Sequence, residues 1–110
     1  MKSINKETLK NWLGLPGLVL LDVRSPQAFE QSIAKIEMAK RMEPAQLSTL
    51  ARKISKNKKV VLYCENGKTQ CPVLAQKLGR MGFKEVYVLE GGWLGWSGKD
   101  YPAVPKELND

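Results

Sequence analysis

The residues best suited to chemistry in this 110-residue chain fall in one stretch, Lys59-Val60-Val61-Leu62-Tyr63-Cys64-Glu65-Asn66-Gly67-Lys68-Thr69-Gln70-Cys71-Pro72. Val60, Val61 and Leu62 form a short apolar, β-branched run, which suits a parallel strand covered on both faces. Beyond it Val73, Leu74, Ala75, Leu78 and Met81 recur at helical spacing, and Gly82 supplies a stop. Pro72 fits the first helical turn, where no backbone donor is needed. Cys64 therefore stands where a strand ends and a polar loop turns back into a helix. The N–H groups of Glu65, Asn66, Gly67, Lys68 and Thr69, with the helix N-terminus, make a cradle that favours an anion. A thiol in such a cradle ionises more readily than a free cysteine, and the thiolate is the nucleophile. The plainer alternative is a buried core cysteine, a common fate for this residue type. What weighs against it is the order of elements along the chain.

Those elements must place the loop at one rim. The segment Ile4 to Leu13 predicts a short amphipathic helix capped by Asn5, with Leu9, Trp12 and Leu13 on its apolar face. Leu18 to Val23 reads as a second strand buried on both faces, broken by Ser25-Pro26, with one helical turn over Gln27 to Gln31. Residues 32–43 fit either a short strand or an extended helix. Pro44 opens a helix with Leu47, Leu50, Ala51 and Ile54 on one face. Glu85 to Leu89 is another β-rich run, followed by the turn Glu90-Gly91-Gly92 and by Trp93, Leu94 and Trp96 as a cap. Alternating strands and helices of these lengths imply a single α/β domain over residues 1–110, with a central parallel sheet of about four or five strands flanked by helices. Ligands of such sheets bind beyond the carboxyl ends of the strands. Asp22-Val23-Arg24, Cys64 to Thr69 and Glu90-Gly91-Gly92 all fall there.

Composition narrows the chemistry further. The chain has no histidine and two cysteines, which removes a histidine base and leaves too few ligands for a structural zinc site. No metal and no cofactor are expected. The net charge is +7, but the lysines are scattered. The cluster Lys53 to Lys59 has no interleaved aromatics, so it reads as a solvated turn rather than a nucleic-acid face. Leu18 to Val23 is too short to span a membrane, and no apolar leader follows Met1, so a cytoplasmic monomer or weak dimer is the expectation.

At this point the chain resembles a single-domain rhodanese. Leu20-Leu21-Asp22-Val23-Arg24 is similar to that family's L-L-D-V-R, with aromatic Phe29 after it. Val60 to Gly67 resembles V-V-x-Y-C-x-x-G. Gly82-Phe83 through Trp96 resembles G-F-x-x-V-x-x-L-x-G-G-x-x-x-W, and Tyr101-Pro102-Ala103-Val104 resembles the family's end. The resemblance implies a small three-layer rhodanese-like fold and sulfur chemistry at Cys64. The thiolate would take sulfane sulfur from a donor anion such as thiosulfate, and the resulting persulfide would pass it to cyanide or a thiol acceptor, including an acidic or thioredoxin-like protein. The loop N–H groups would stabilise the anionic sulfur, with Asp22 and Arg24 in support.

The chain also departs from the pattern. Where the family loop reads C-x-x-G-x-R-S, Thr69 stands in place of arginine, so bidentate anion recognition is lost and Lys68 is left as a point charge or a solvated side chain. Glu65 puts a like charge beside the thiol. Ala28 replaces an acidic residue, which leaves Glu30 as the expected partner of Arg24. Cys71, seven residues after Cys64, either resolves a Cys64 persulfide by forming a disulfide or packs as a small helix-start residue; packing is the preferred reading. Two other functions compete. One is a rhodanese-like module that binds protein or senses redox state. The other is a phosphatase or arsenate reductase, for which related folds use C-x5-R; here Gln70 occupies the arginine position.

Overall fold

A computed structural model describes residues 2–98, 100–107 and 110. In chain order the elements are β1 (Lys2–Ile4), α1 (Lys6–Trp12), β2 (Leu18–Asp22), α2 (Pro26–Gln31), β3 (Ala34–Ile36), β4 (Lys40–Arg41), a 3-10 turn (Pro44–Gln46), α3 (Leu47–Ala51), β5 (Lys59–Tyr63), α4 (Gln70–Arg80), β6 (Glu85–Leu89), α5 (Gly92–Trp96) and β7 (Ala103–Pro105). Five strands form a parallel sheet in the order β1-β6-β5-β2-β4. Short antiparallel β3 and β7 pair beside it.

The continuous apolar runs are explained by the layers. In β5, Val60 and Leu62 face α3 and α4, whereas Val61 and Tyr63 face the other way. Val86 and Val88 against Tyr87 and Leu89 repeat that division in β6. Period-two alternation sends successive side chains to opposite faces, and here both faces are covered. On the second face lie Leu9 of α1 and the fully buried Trp96 of α5, whose Nε1 donates to Pro102 O at 2.8 Å.

Helix α4 follows its sequence signals with one change. Cys71, Leu74, Ala75 and Leu78 form the buried stripe, while Val73 is 66% exposed. Val73 lies about 200° around the helix from Cys71, so Cys71 completes the apolar face and Val73 does not belong to it. Gly82 at φ +102 ends the helix, with the Phe83 N–H donating to Leu78 O at 3.2 Å.

Two further segments depart from expectation. Lys2–Ile4 is an edge strand pairing with Tyr87–Leu89, and the helix starts only at Lys6, after Asn5 accepts the Thr8 N–H at 2.8 Å. Three residues with only Ile4 buried show no readable period. Residues 32–43 take the strand alternative, as the two short strands β3 and β4 with Met38 in the left-handed region between them. Among the described residues, no helix is long and apolar enough to cross a membrane.

Candidate active site

Cys64 follows the last residue of β5, the middle strand of the sheet, and begins the loop that leads into α4. That loop is held by its own backbone and by α5. Asn66 Oδ1 accepts the Lys68 N–H at 2.8 Å, a side-chain turn typical of asparagine. Gly67 has φ +79, and a Cβ there would meet Leu89 O at 2.7 Å. From the facing side, the Trp93 and Leu94 N–H groups donate to Cys64 O at 2.8 Å and Glu65 O at 3.0 Å. Gly92 permits this docking, because a Cβ on it would meet Cys64 O, and Glu65 O and Gly67 N at 2.8 Å. Each of these glycines is required by a close backbone approach.

The sulfur itself is surrounded by donors from the start of α4. The Thr69 hydroxyl lies 3.5 Å away, and the Cys71 side chain, with the Cys71 and Thr69 backbone N–H groups, favours its charge. Donation from Cys71 is the largest influence and, with the Thr69 contacts, outweighs burial and draws the Cys64 thiol down from 9.0 to about 4. Cys71 moves the opposite way, because its proton is held by Cys64 and its site is buried. At neutral pH the pair is one thiolate and one thiol donor. Both cysteines are unbridged and have no surface open to water.

Not every expected loop donor takes part. The Lys68 N–H turns to Asn66 and leaves the cradle. Glu65 contributes its carbonyl to the α5 contact, and the Lys68 side chain is exposed. Thr69 lies beside the sulfur with its one hydroxyl proton turned to Gln70, and Cys71 supplies an influence that the loop motif does not announce. Gln70 receives the Thr69 hydroxyl on Oε1 at 2.6 Å and gives Nε2 to Val23 O at 2.8 Å. It ties the loop to β2 as a neutral amide, where a C-x5-R site would hold a cation.

A buried charge cluster stiffens that same rim. Asp22 accepts Arg24 Nη2 at 2.7 Å and Nε at 3.0 Å, and also the Tyr63 hydroxyl at 2.8 Å. Asp22 therefore replaces Glu30 as the partner of Arg24: two residues along an extended end point to the same side, whereas Glu30 lies on exposed α2. Burial and the Asp22 charge push the Tyr63 hydroxyl upward, so it stays protonated and donates. Arg41 donates to Arg24 O at 2.6 Å. The Arg24 guanidinium lies 4.8 Å from the Trp93 ring, so the cluster braces the turn that docks on Cys64 O. Asp22 and Arg24 thus pair with each other, fully buried, beside the loop. Tyr63 and Arg41 were not singled out from sequence; a tyrosine ending an otherwise aliphatic strand is the one signal that marks the former.

Fold and site together define an α/β domain with two buried, unbridged cysteines near one rim of its parallel sheet. The chain belongs to the rhodanese family: the family model for the rhodanese-like domain matches residues 5–99. It is 38% identical over 79 residues to the thiosulfate sulfurtransferase GlpE of Coxiella burnetii, covering 72% of this chain and 71% of that one. It is 34% identical over 99 residues to YqhL of Bacillus subtilis, covering 90% and 75%. A rhodanese-like domain protein from Staphylococcus aureus superposes with a TM-score of 0.78 at 24% identity, over 97% of this chain and 100% of that one, a likeness of fold.

Proposed function

We propose that the domain is a sulfurtransferase that carries sulfane sulfur as a persulfide on Cys64. The observation that carries this reading is the place of Cys64 at the end of the central strand, where the loop and the start of α4 close around its sulfur. The likeness to a protein named thiosulfate sulfurtransferase supports thiosulfate as donor. The Cys64 thiolate attacks the outer sulfur of thiosulfate and displaces sulfite, giving Cys64–S–S⁻. A second nucleophile, cyanide or an acceptor thiol, then takes that sulfur and returns the thiolate. The Thr69 and Cys71 backbone N–H groups and the Cys71 side chain stabilise anionic sulfur at each stage, and no base is needed because the attacking thiol is already ionised. A donor anion and an acidic or thioredoxin-like thiol protein, in the cytoplasm, are the partners this scheme calls for.

Thiocyanate formed from thiosulfate and cyanide is the assay. Turnover should be abolished in Cys64→Ser. Absence of turnover in the unaltered protein, with any sulfane donor, would favour a binding module instead, which the complete burial of Cys64 makes the second reading.

A further inference from the structure

The end of the sheet opposite Cys64 holds a groove that sulfur transfer does not use. Helix α4 starts at the Cys64 loop, and Arg80 at its far end stands roughly 16 Å along the axis. Gly79 and Arg80 of α4, Phe83, Lys84 and Val86 around the start of β6, and Lys2 of β1 line a cavity of about 340 Å³ there.

Three features of this corner have no role in holding the fold. Gly79 is a poorer helix former than alanine, yet a Cβ on it would meet nothing within 4 Å. No close approach requires the glycine, and its effect is to keep the groove open. Lys2, Arg80 and Lys84 face a lining without acidic residues, and among the described residues no ion pair engages them. The adjacent Glu85 is held by Lys59 at 3.0 Å and by the Tyr87 hydroxyl. Last, β1 is a sheet edge. Ile4 O accepts the Glu90 N–H at 2.9 Å, so Lys2 and Ile4 turn their backbone groups to β6 and Ser3 turns its N–H and C=O outward.

We propose that this corner docks an extended acidic segment of a partner protein, which pairs with β1 and lays an apolar side chain in the groove between carboxylates that meet Arg80 and Lys84. The free edge matches a backbone, buried Phe83 and Val86 match the apolar group, and the cations match the carboxylates. A second copy of this chain is a poor occupant, because each copy carries +7 and the pairing would bring two such edges together. Nucleic acid fits less well too. Phe83 is buried, with the Lys56 ammonium 4.3 Å from its ring, and offers no face on which a base could stack. The docking lies away from Cys64 and does not depend on the persulfide reading.

The test is an amide NMR titration of the full chain with a short synthetic peptide of Asp and Glu around a central leucine. Shifts should be confined to β1, the end of α4 and the start of β6. Arg80→Glu combined with Lys84→Glu should weaken binding about tenfold or more. Lys10→Glu combined with Lys40→Glu, the same change of net charge elsewhere, should weaken it far less. Gly79→Leu should raise the melting temperature, as a better helix former, and still abolish binding by filling the groove. Absence of shifts at millimolar peptide would overturn the proposal. So would shifts spread over the whole basic surface, or equal losses in the two charge variants, which signify general attraction. Self-association of the unaltered chain through these amides, or tighter binding of a single-stranded oligonucleotide to them, would overturn it in favour of those occupants. None of these results bears on sulfur uptake by Cys64, which stands or falls separately.

Discussion

At the scale of single residues, the reactivity of Cys64 is a property of its neighbours. A thiolate with a lowered pKa keeps its nucleophilicity down to that pKa. The rate of Cys64 alkylation should therefore stay nearly flat from neutral pH downward and fall only as the pH approaches about 4. An ordinary cysteine loses the corresponding rate below about 8.5. Cys71→Ala removes the largest stabilising donor and should move the Cys64 profile to higher pH, Thr69→Ala less so, and Cys71→Ser least because a hydroxyl still donates. The same shift enters stability. The folded pKa lies below the unfolded one, so the contribution is fully present above about 8.5 and is lost as pH falls towards the folded value. The stability difference between unaltered protein and Cys64→Ser, from denaturant titrations, should thus shrink as pH falls between those limits. Cys64 was legible from its strand-loop-helix context. Its partnership with Cys71 was not, because a seven-residue spacing across a loop fits either contact or separation, and only the turn of α4 brings the two together.

At the scale of elements, the loop depends on close approach between backbones. Gly92→Ala should cost about 1–3 kcal/mol and greatly reduce sulfur transfer, since its Cβ would press on the carbonyls that α5 holds. Thermal unfolding and the thiocyanate assay would show both losses together. Asp22→Asn is expected to cost about 3–5 kcal/mol, because it leaves Arg24 charged, fully buried and without its carboxylate. Long apolar runs and helices with caps were readable here, as β2, β5, β6 and the Asn5-capped α1 demonstrate. β1, β3 and β4 were not, being two or three residues long and set by pairing with distant strands rather than by their own pattern. The Glu90-Gly91-Gly92 turn could be placed at the rim from sequence, but what its glycines approach is visible only in the fold.

At the scale of the whole molecule, a parallel sheet covered on both faces brings the ends of β2, β5 and β6 to one rim, and the molecule carries a net charge of +7. An anionic donor should be drawn to such a surface, so kcat/KM for thiosulfate should fall as ionic strength rises, while that for an uncharged sulfane donor changes little. The central claim concerns one atom, Cys64 Sγ. Intact mass after thiosulfate, on the unaltered protein and Cys64→Ser side by side, tests it most directly. The unaltered protein should gain the mass of one sulfur, removable by cyanide, and Cys64→Ser should gain none. Sulfur appearing on Cys64→Ser, or none on the unaltered protein, would contradict the account.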